Sequence, residues 1–139
     1  MQLTITHVNP EGMHNNPAFT QAVIVEGNAR TIYVGGQNAA AADGQIVGDT
    51  LEAQTEQVFK NLETVLAASG ATLHDIVKWT IFVVQGHDIA PGFGVFQRVW
   101  GTSARPPAIS MAFVASLANP EFLVEIEAIA VTGQEVGAG

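Results

Sequence analysis

Phe122-Leu123-Val124-Glu125-Ile126-Glu127-Ala128-Ile129-Ala130-Val131 is the stretch whose reading decides the fold. Along an extended strand successive side chains point to opposite faces, so Phe122, Val124, Ile126, Ala128 and Ala130 make one wholly apolar face. The other face carries Leu123, Glu125, Glu127, Ile129 and Val131, two carboxylates framed by large aliphatic groups. A solvent face seldom carries that much aliphatic surface, so both sides of the strand call for cover.

Working back from there, a strand over residues 108–115 is joined to it by Ser116-Leu117-Ala118-Asn119-Pro120-Glu121. Ile76 to Val84 is nearly continuous apolar sequence, as in a strand covered on both faces. Between them the spacing predicts a helix from Ile89 or Pro91 to Trp100, with Phe93, Phe96, Val99 and Trp100 on its buried side. A longer helix starts at Asp49, which pairs with Glu52 as a capping box. Leu51, Val58, Phe59, Leu62, Val65 and Leu66 recur at helical period until Gly70 stops it. Glu56 and Lys60, four apart, are expected to pair on its outer face. Residues 2–8 alternate as a first strand, and Gln21–Val25 and Thr31–Val34 flank Glu26-Gly27-Asn28-Ala29-Arg30 as a hairpin. Gly35-Gly36 closes its second arm, and Ala42-Asp43-Gly44 makes another turn.

The expectation is therefore an α/β (α+β) protein, a sheet of five or six strands with two helices on one side. No sequence remains to cover the other side, and a second subunit is the simplest cover. Composition agrees: 47% of residues are hydrophobic and only 13% charged, too few to clothe a small monomer. The 139 residues fit one domain, 1–139, with a flexible Gly/Ala-rich tail from about 133 to 139.

Totals exclude several functions. Thirteen acidic residues against five basic ones leave a net charge of -8, and the five cations are scattered, which speaks against nucleic acid. With no cysteine there is no thiolate chemistry and no cysteine metal site. The first residues alternate rather than forming a basic then apolar leader, and no apolar run approaches the roughly 20 residues of a membrane span. A cytoplasmic protein without membrane partners is expected. No G-x-S-x-G, H-E-x-x-H, P-loop or G-x-G-x-x-G motif is present, and His7, His14, His74 and His87 never fall at metal-ligand spacing. No metal is expected, and the histidines read as structural.

Arg105 stands apart by its setting, Thr102-Ser103-Ala104-Arg105-Pro106-Pro107-Ala108. The prolines stiffen the backbone and leave nearby carbonyls without matching amide donors. An arginine held there can grip a carboxylate through two charge-assisted hydrogen bonds, or it can close an ion pair within the fold. Glu125 and Glu127 divide the same way: a half-buried carboxylate can orient a water, or pair with Arg105, Lys78 or backbone donors. Gly35-Gly36-Gln37 can present backbone amides to a ligand, or simply end a strand.

Ala104-Arg105-Pro106-Pro107, the apolar strand after it and Val124-Glu125-Ile126-Glu127-Ala128-Ile129-Ala130-Val131 together resemble the C-terminal signature of the RidA/YjgF, or reactive intermediate deaminase, family. Tyr33-Val34-Gly35-Gly36-Gln37 and Gly70-Ala71-Thr72-Leu73-His74-Asp75-Ile76-Val77-Lys78 resemble it too, in the same order along nearly the whole chain. The resemblance implies a chorismate-mutase-like mixed sheet with two helices on one face, three chains forming a barrel-like homotrimer, and ligand clefts between subunits. It implies hydrolysis of 2-imino acids or their enamine tautomers to 2-oxo acids and ammonia, with no cofactor. Arg105 would hold the carboxylate of a small metabolite and Glu125 would place the water. Phe19, Gly35, Gly36, Phe93 and Pro107 would line the cleft. Four of these depart from the family: Phe19 replaces a tyrosine, Gly35 a serine, Pro107 a cysteine and Phe93 an asparagine. Much of the polar lining has become apolar, which favours a bulkier or more apolar 2-imino acid.

A hairpin of 108–115 with 122–131 would put Ala112 opposite Glu125 and Arg105 about 20 Å away along the ladder. A different strand order or a neighbouring chain must bring the two together.

Overall fold

The computed structural model describes residues 1–102 and 104–134. Nine elements follow one another: β1 (Thr4–Val8), β2 (Ala22–Glu26), β3 (Ala29–Gln37), α1 (Leu51–Ala68), a single 3-10 turn (Leu73–Asp75), β4 (Ile76–Val84), α2 (Ala90–Trp100), β5 (Ala108–Val114) and β6 (Val124–Gly133). Four strands form a mixed sheet in the order β3-β6-β4-β5. β6 is antiparallel to both neighbours, and β4 runs parallel to β5 through the α2 crossover. The alternation that marked β6 is realised from Val124 to Ala130, while Leu123, expected on the face of Glu125, precedes the strand and packs against the core, and Val131 is buried. Val124, Ile126, Ala128 and Ala130 are buried under the helices with Val34, Trp79 and Val83. Glu125, Glu127 and Ile129 lie on the opposite face beside Phe82, Thr80 and Lys78 of β4, and Ile129 also beside Tyr33 of β3.

Trp79 anchors the covered side. It is fully buried, with the rings of Phe59, Phe96 and Trp100 packed edge-on at 5.4–5.8 Å. Its indole Nε1 finds no acceptor among the described residues. Gln54 ties α1 to the chain entering β6: its Nε2 donates to the carbonyls of Gly48 (3.1 Å) and Glu121 (2.8 Å), and its Oε1 accepts from the Leu123 amide at 2.8 Å. A buried amide satisfied on both ends fixes position where an apolar side chain would slide.

Several expectations are corrected. β2 and β3 are not a hairpin; β2 pairs with β1 in a separate two-stranded ribbon, so the strands divide as four and two. Gly27, at φ 94°, approaches so close to Gln2 that a Cβ there would sit 2.3 Å from the Gln2 carbonyl oxygen. The Asn28 amide donates to Met1 O, and the chain passes from the ribbon to the main sheet instead of folding back. The cap of α1 is Thr50, whose hydroxyl accepts from the Ala53 amide, and not Asp49. Glu56 pairs with Arg98 of α2 at 2.6 Å rather than with Lys60, joining two helices instead of two turns of one. Gly35-Gly36 does not end β3. The strand runs on to Gln37 with a register shift across the two glycines. The tail expected from about 133 overlaps ordered structure at its start: Gly133 belongs to β6, and the Gln134 amide donates to Asn28 O. Residues 135–139 of that tail lie outside the described residues. No described helix is long and apolar enough to cross a membrane.

Candidate functional site

The two residues expected to do chemistry stand at opposite ends of the sheet. Phe82 of β4 lies opposite Glu125 on one side and Ala112 on the other, so Glu125 and Ala112 are level. Arg105 is seven residues before Ala112, about 20 Å back along the strand direction at roughly 3.3 Å per residue. The strand order differs from a hairpin, since β4 intervenes, yet the separation remains. Along the strand direction, Arg105 before β5 and Glu125 at the start of β6 thus stand at opposite ends of the sheet.

At the first end, Glu125 is half-buried against the glycine bulge. A Cβ added to Gly36 would fall 2.7 Å from the Glu125 carboxyl carbon, so the carboxylate lies flat over the bare glycine backbone. No hydrogen bond or ion pair to Glu125 occurs among the described residues. Gly35 beside it is exposed with open space around its α-carbon. The structure thus sets Glu125 against Gly36, with acceptor capacity to spare among the described residues, while Gly35 lines a neighbouring groove with Lys78, Thr80 and Glu127.

At the other end, Arg105 is exposed and has no ion-pair partner among the described residues; the bridge between Arg98 and Glu56 takes a different arginine. Its segment is held by Thr20. The Thr20 hydroxyl donates to Pro106 O at 2.6 Å, and its amide donates to Pro107 O at 3.1 Å, satisfying the carbonyls the two prolines leave open. Behind them, Trp100 Nε1 donates to Ala104 O at 3.1 Å. Pro107 is buried and forms backing, not an exposed lining. Thr20 was missed by sequence reasoning, although two proline carbonyls in need of donors were its signal. His7 of β1, read as structural from the sequence, lies near Arg105. Burial, and secondly the charge of nearby Arg105, hold its imidazole below the usual value.

Thr20 also carries its neighbour Phe19 to a cavity of about 170 Å³ between α2 and the covered face of the sheet. Phe93 lines the same cavity from α2, with Trp79, Phe96, Ile109 and Met111. Phe93 was expected on the buried side, but it is 43% exposed at the rim, because Val95 and Trp100 point more directly into the core. Glu127 lies two pairs along β6 from Glu125, opposite Thr80, and is exposed. His74 accepts a structural role, its Nε2 2.9 Å from Trp100 O. Among the described residues no three His, Asp or Glu side chains converge as metal ligands.

Known proteins resemble the chain throughout. The profile of the family described as Endoribonuclease L-PSP matches residues 13–132. The rat protein named 2-iminobutanoate/2-iminopropanoate deaminase is 35% identical over 125 residues, 88% of this chain and 85% of its own. Among solved structures, the Rid-family protein YyfB of Yersinia pestis superimposes with a TM-score of 0.80 at 37% identity, covering 91% of this chain and 97% of that one. E. coli TdcF, solved with bound serine, gives a TM-score of 0.67 at 28% identity over 74% of this chain and 81% of its own.

Proposed function

Because the chain belongs to the YjgF/RidA family, whose members include the 2-iminobutanoate/2-iminopropanoate deaminases, we propose that it hydrolyses 2-imino acids or their enamine tautomers to 2-oxo acids and ammonia. The observation that carries the reading is the pair of unpartnered groups: an exposed arginine on a proline-stiffened segment at one end of the sheet, and a half-buried carboxylate on a glycine bulge at the other. Each is half of a site that a second copy would complete, in an intersubunit cleft of a homotrimer. Tyr33, 78% exposed, and Phe82 stand on the uncovered face such an assembly would use.

Arg105 would take the substrate carboxylate in a two-pronged grip, fixing the imine carbon near Glu125 of the adjoining subunit. Glu125 would orient a water for attack on that carbon. Water adds across C=N, the carbinolamine expels ammonia, and the 2-oxo acid remains. An imine carbon is already electrophilic, so orientation is the larger part of the task. No step calls on a cofactor.

A second reading, a non-catalytic carboxylate-binding trimer, draws support from the apolar residues Phe19 and Phe93 standing where the family's deaminases carry polar ones. A nuclease fits poorly: with a net charge of -8 and five dispersed cations, the chain repels a phosphate backbone.

The test is to generate 2-imino acids in situ with an amino-acid oxidase and follow their loss. Wild type is expected to accelerate hydrolysis and Arg105→Ala to lose about two orders of magnitude or more in kcat/KM. Two charge-assisted hydrogen bonds of roughly 1.5–3 kcal/mol each are removed. A binding-only protein would show no acceleration, while a carboxylate ligand still raised its melting temperature.

A further inference from the structure

We infer that the substrate side chain is seated in the cavity beneath α2, and that the preferred substrates are 2-imino acids with a branched aliphatic or aromatic side chain. This rests on the deamination reading above and adds the substrate class.

The cavity lies on the covered face, away from Glu125, and opens between α2 and β5. Its volume of about 170 Å³ is close to the roughly 150 Å³ of an apolar protein cavity that takes up benzene. A benzyl or isobutyl group fits it, while a methyl group leaves most of it empty. Its walls come from Phe19, Trp79, Phe93, Phe96, Ile109 and Met111, which offer a polar substituent almost nothing to bond. Phe93 and Met111 are 43% and 44% exposed, so the rim is apolar surface left facing water, which an apolar group would cover.

Continuity with the carboxylate grip gives the cavity its occupant. Thr20 binds the carbonyls of Pro106 and Pro107, directly after Arg105, and places Phe19 on the cavity wall. Ile109, four residues beyond Arg105, forms another part of that wall. The segment that presents the guanidinium is thus also the segment that shapes the cavity. An acid anchored at Arg105 and carrying an apolar side chain would find its apolar recess where Phe19 and Ile109 line the cavity. A free apolar molecule would use the cavity without using Arg105.

The experiment compares imines produced by oxidase from phenylalanine, leucine and alanine. The inference predicts kcat/KM for the first two above the third by on the order of tenfold or more, since each methylene in an apolar pocket is worth about that range. Met111→Trp, which narrows the recess, is expected to lower this ratio by a similar factor. Hydrolysis with the alanine-derived imine equal or preferred would overturn the inference and leave the deamination reading standing. If no imine is hydrolysed, deamination fails, and binding to wild type decides the cavity. A larger rise in melting temperature with phenylpyruvate than with pyruvate, lost in Arg105→Ala, sustains it. Equal shifts, or a shift that survives in Arg105→Ala, overturn it.

Discussion

The two faces of β6 differ in one respect that organises the molecule. On one, Val124, Ile126, Ala128 and Ala130 are finished within the chain, sealed by α1, α2 and the Trp79 cluster. On the other, Glu125, Glu127 and Ile129 stand among Phe82, Thr80 and exposed Tyr33, with no helix above them among the described residues. A side chain on the first face contributes to stability through packing. One on the second contributes through what a neighbouring copy or a ligand adds. Substitutions on the two faces should therefore separate stability from activity.

The largest stability effect is expected on the closed face. Trp79→Ala empties the centre of the core and should lower stability by about 3–5 kcal/mol, read from denaturant unfolding. On the open face, Gly36→Ala pushes the Glu125 carboxylate aside, because the new Cβ would sit 2.7 Å from its carboxyl carbon. The displaced group is the free end of a side chain, so unfolding should change by less than about 1 kcal/mol, while imine hydrolysis falls about tenfold or more. Comparable losses of stability in both variants would erase the distinction between the faces.

The smallest effect concerns the ribbon beside Arg105. His7 is held below the ordinary imidazole value by burial and then by Arg105. The unfolded chain therefore takes up its proton first, so His7 contributes stability above about pH 6.5 that is lost on acidification. His7→Gln should flatten the decline in melting temperature between about pH 8 and 5, and Arg105→Ala should flatten it less. An unchanged pH profile in His7→Gln would remove His7 as its source.

Much of the closed face was legible in the sequence, because period carries the information there: two in Phe122–Val131, and 3.6 in Leu51, Val58, Phe59, Leu62 and Leu66. What failed depended on partners distant in sequence. The Gly27-Asn28 turn reads as a hairpin locally, but β1 competes for β2 and β6 for β3. Gly35-Gly36 reads as a strand end, but Glu125 needs bare backbone there. Glu56 reads as a partner for Lys60, but Arg98 arrives from another helix. The Arg105 and Glu125 motifs and their wide separation along the strand direction were legible, whereas the placing of β4 between β5 and β6 was not. The proline carbonyls signalled a donor, but that it is Thr20 was not legible, because Pro106 lies 86 residues on.

The central claim is that Arg105 and Glu125 act together only across a subunit boundary. It is tested most directly by co-expressing Arg105→Ala and Glu125→Gln chains and assaying the mixed assemblies for imine hydrolysis. Each variant alone should be nearly inactive. In randomly mixed trimers about a quarter of the clefts would combine an intact arginine from one chain with an intact glutamate from its neighbour. Activity near that fraction of wild type is predicted. Activity no greater than that of the two variants assayed separately, in assemblies shown to contain both chains, would contradict the account.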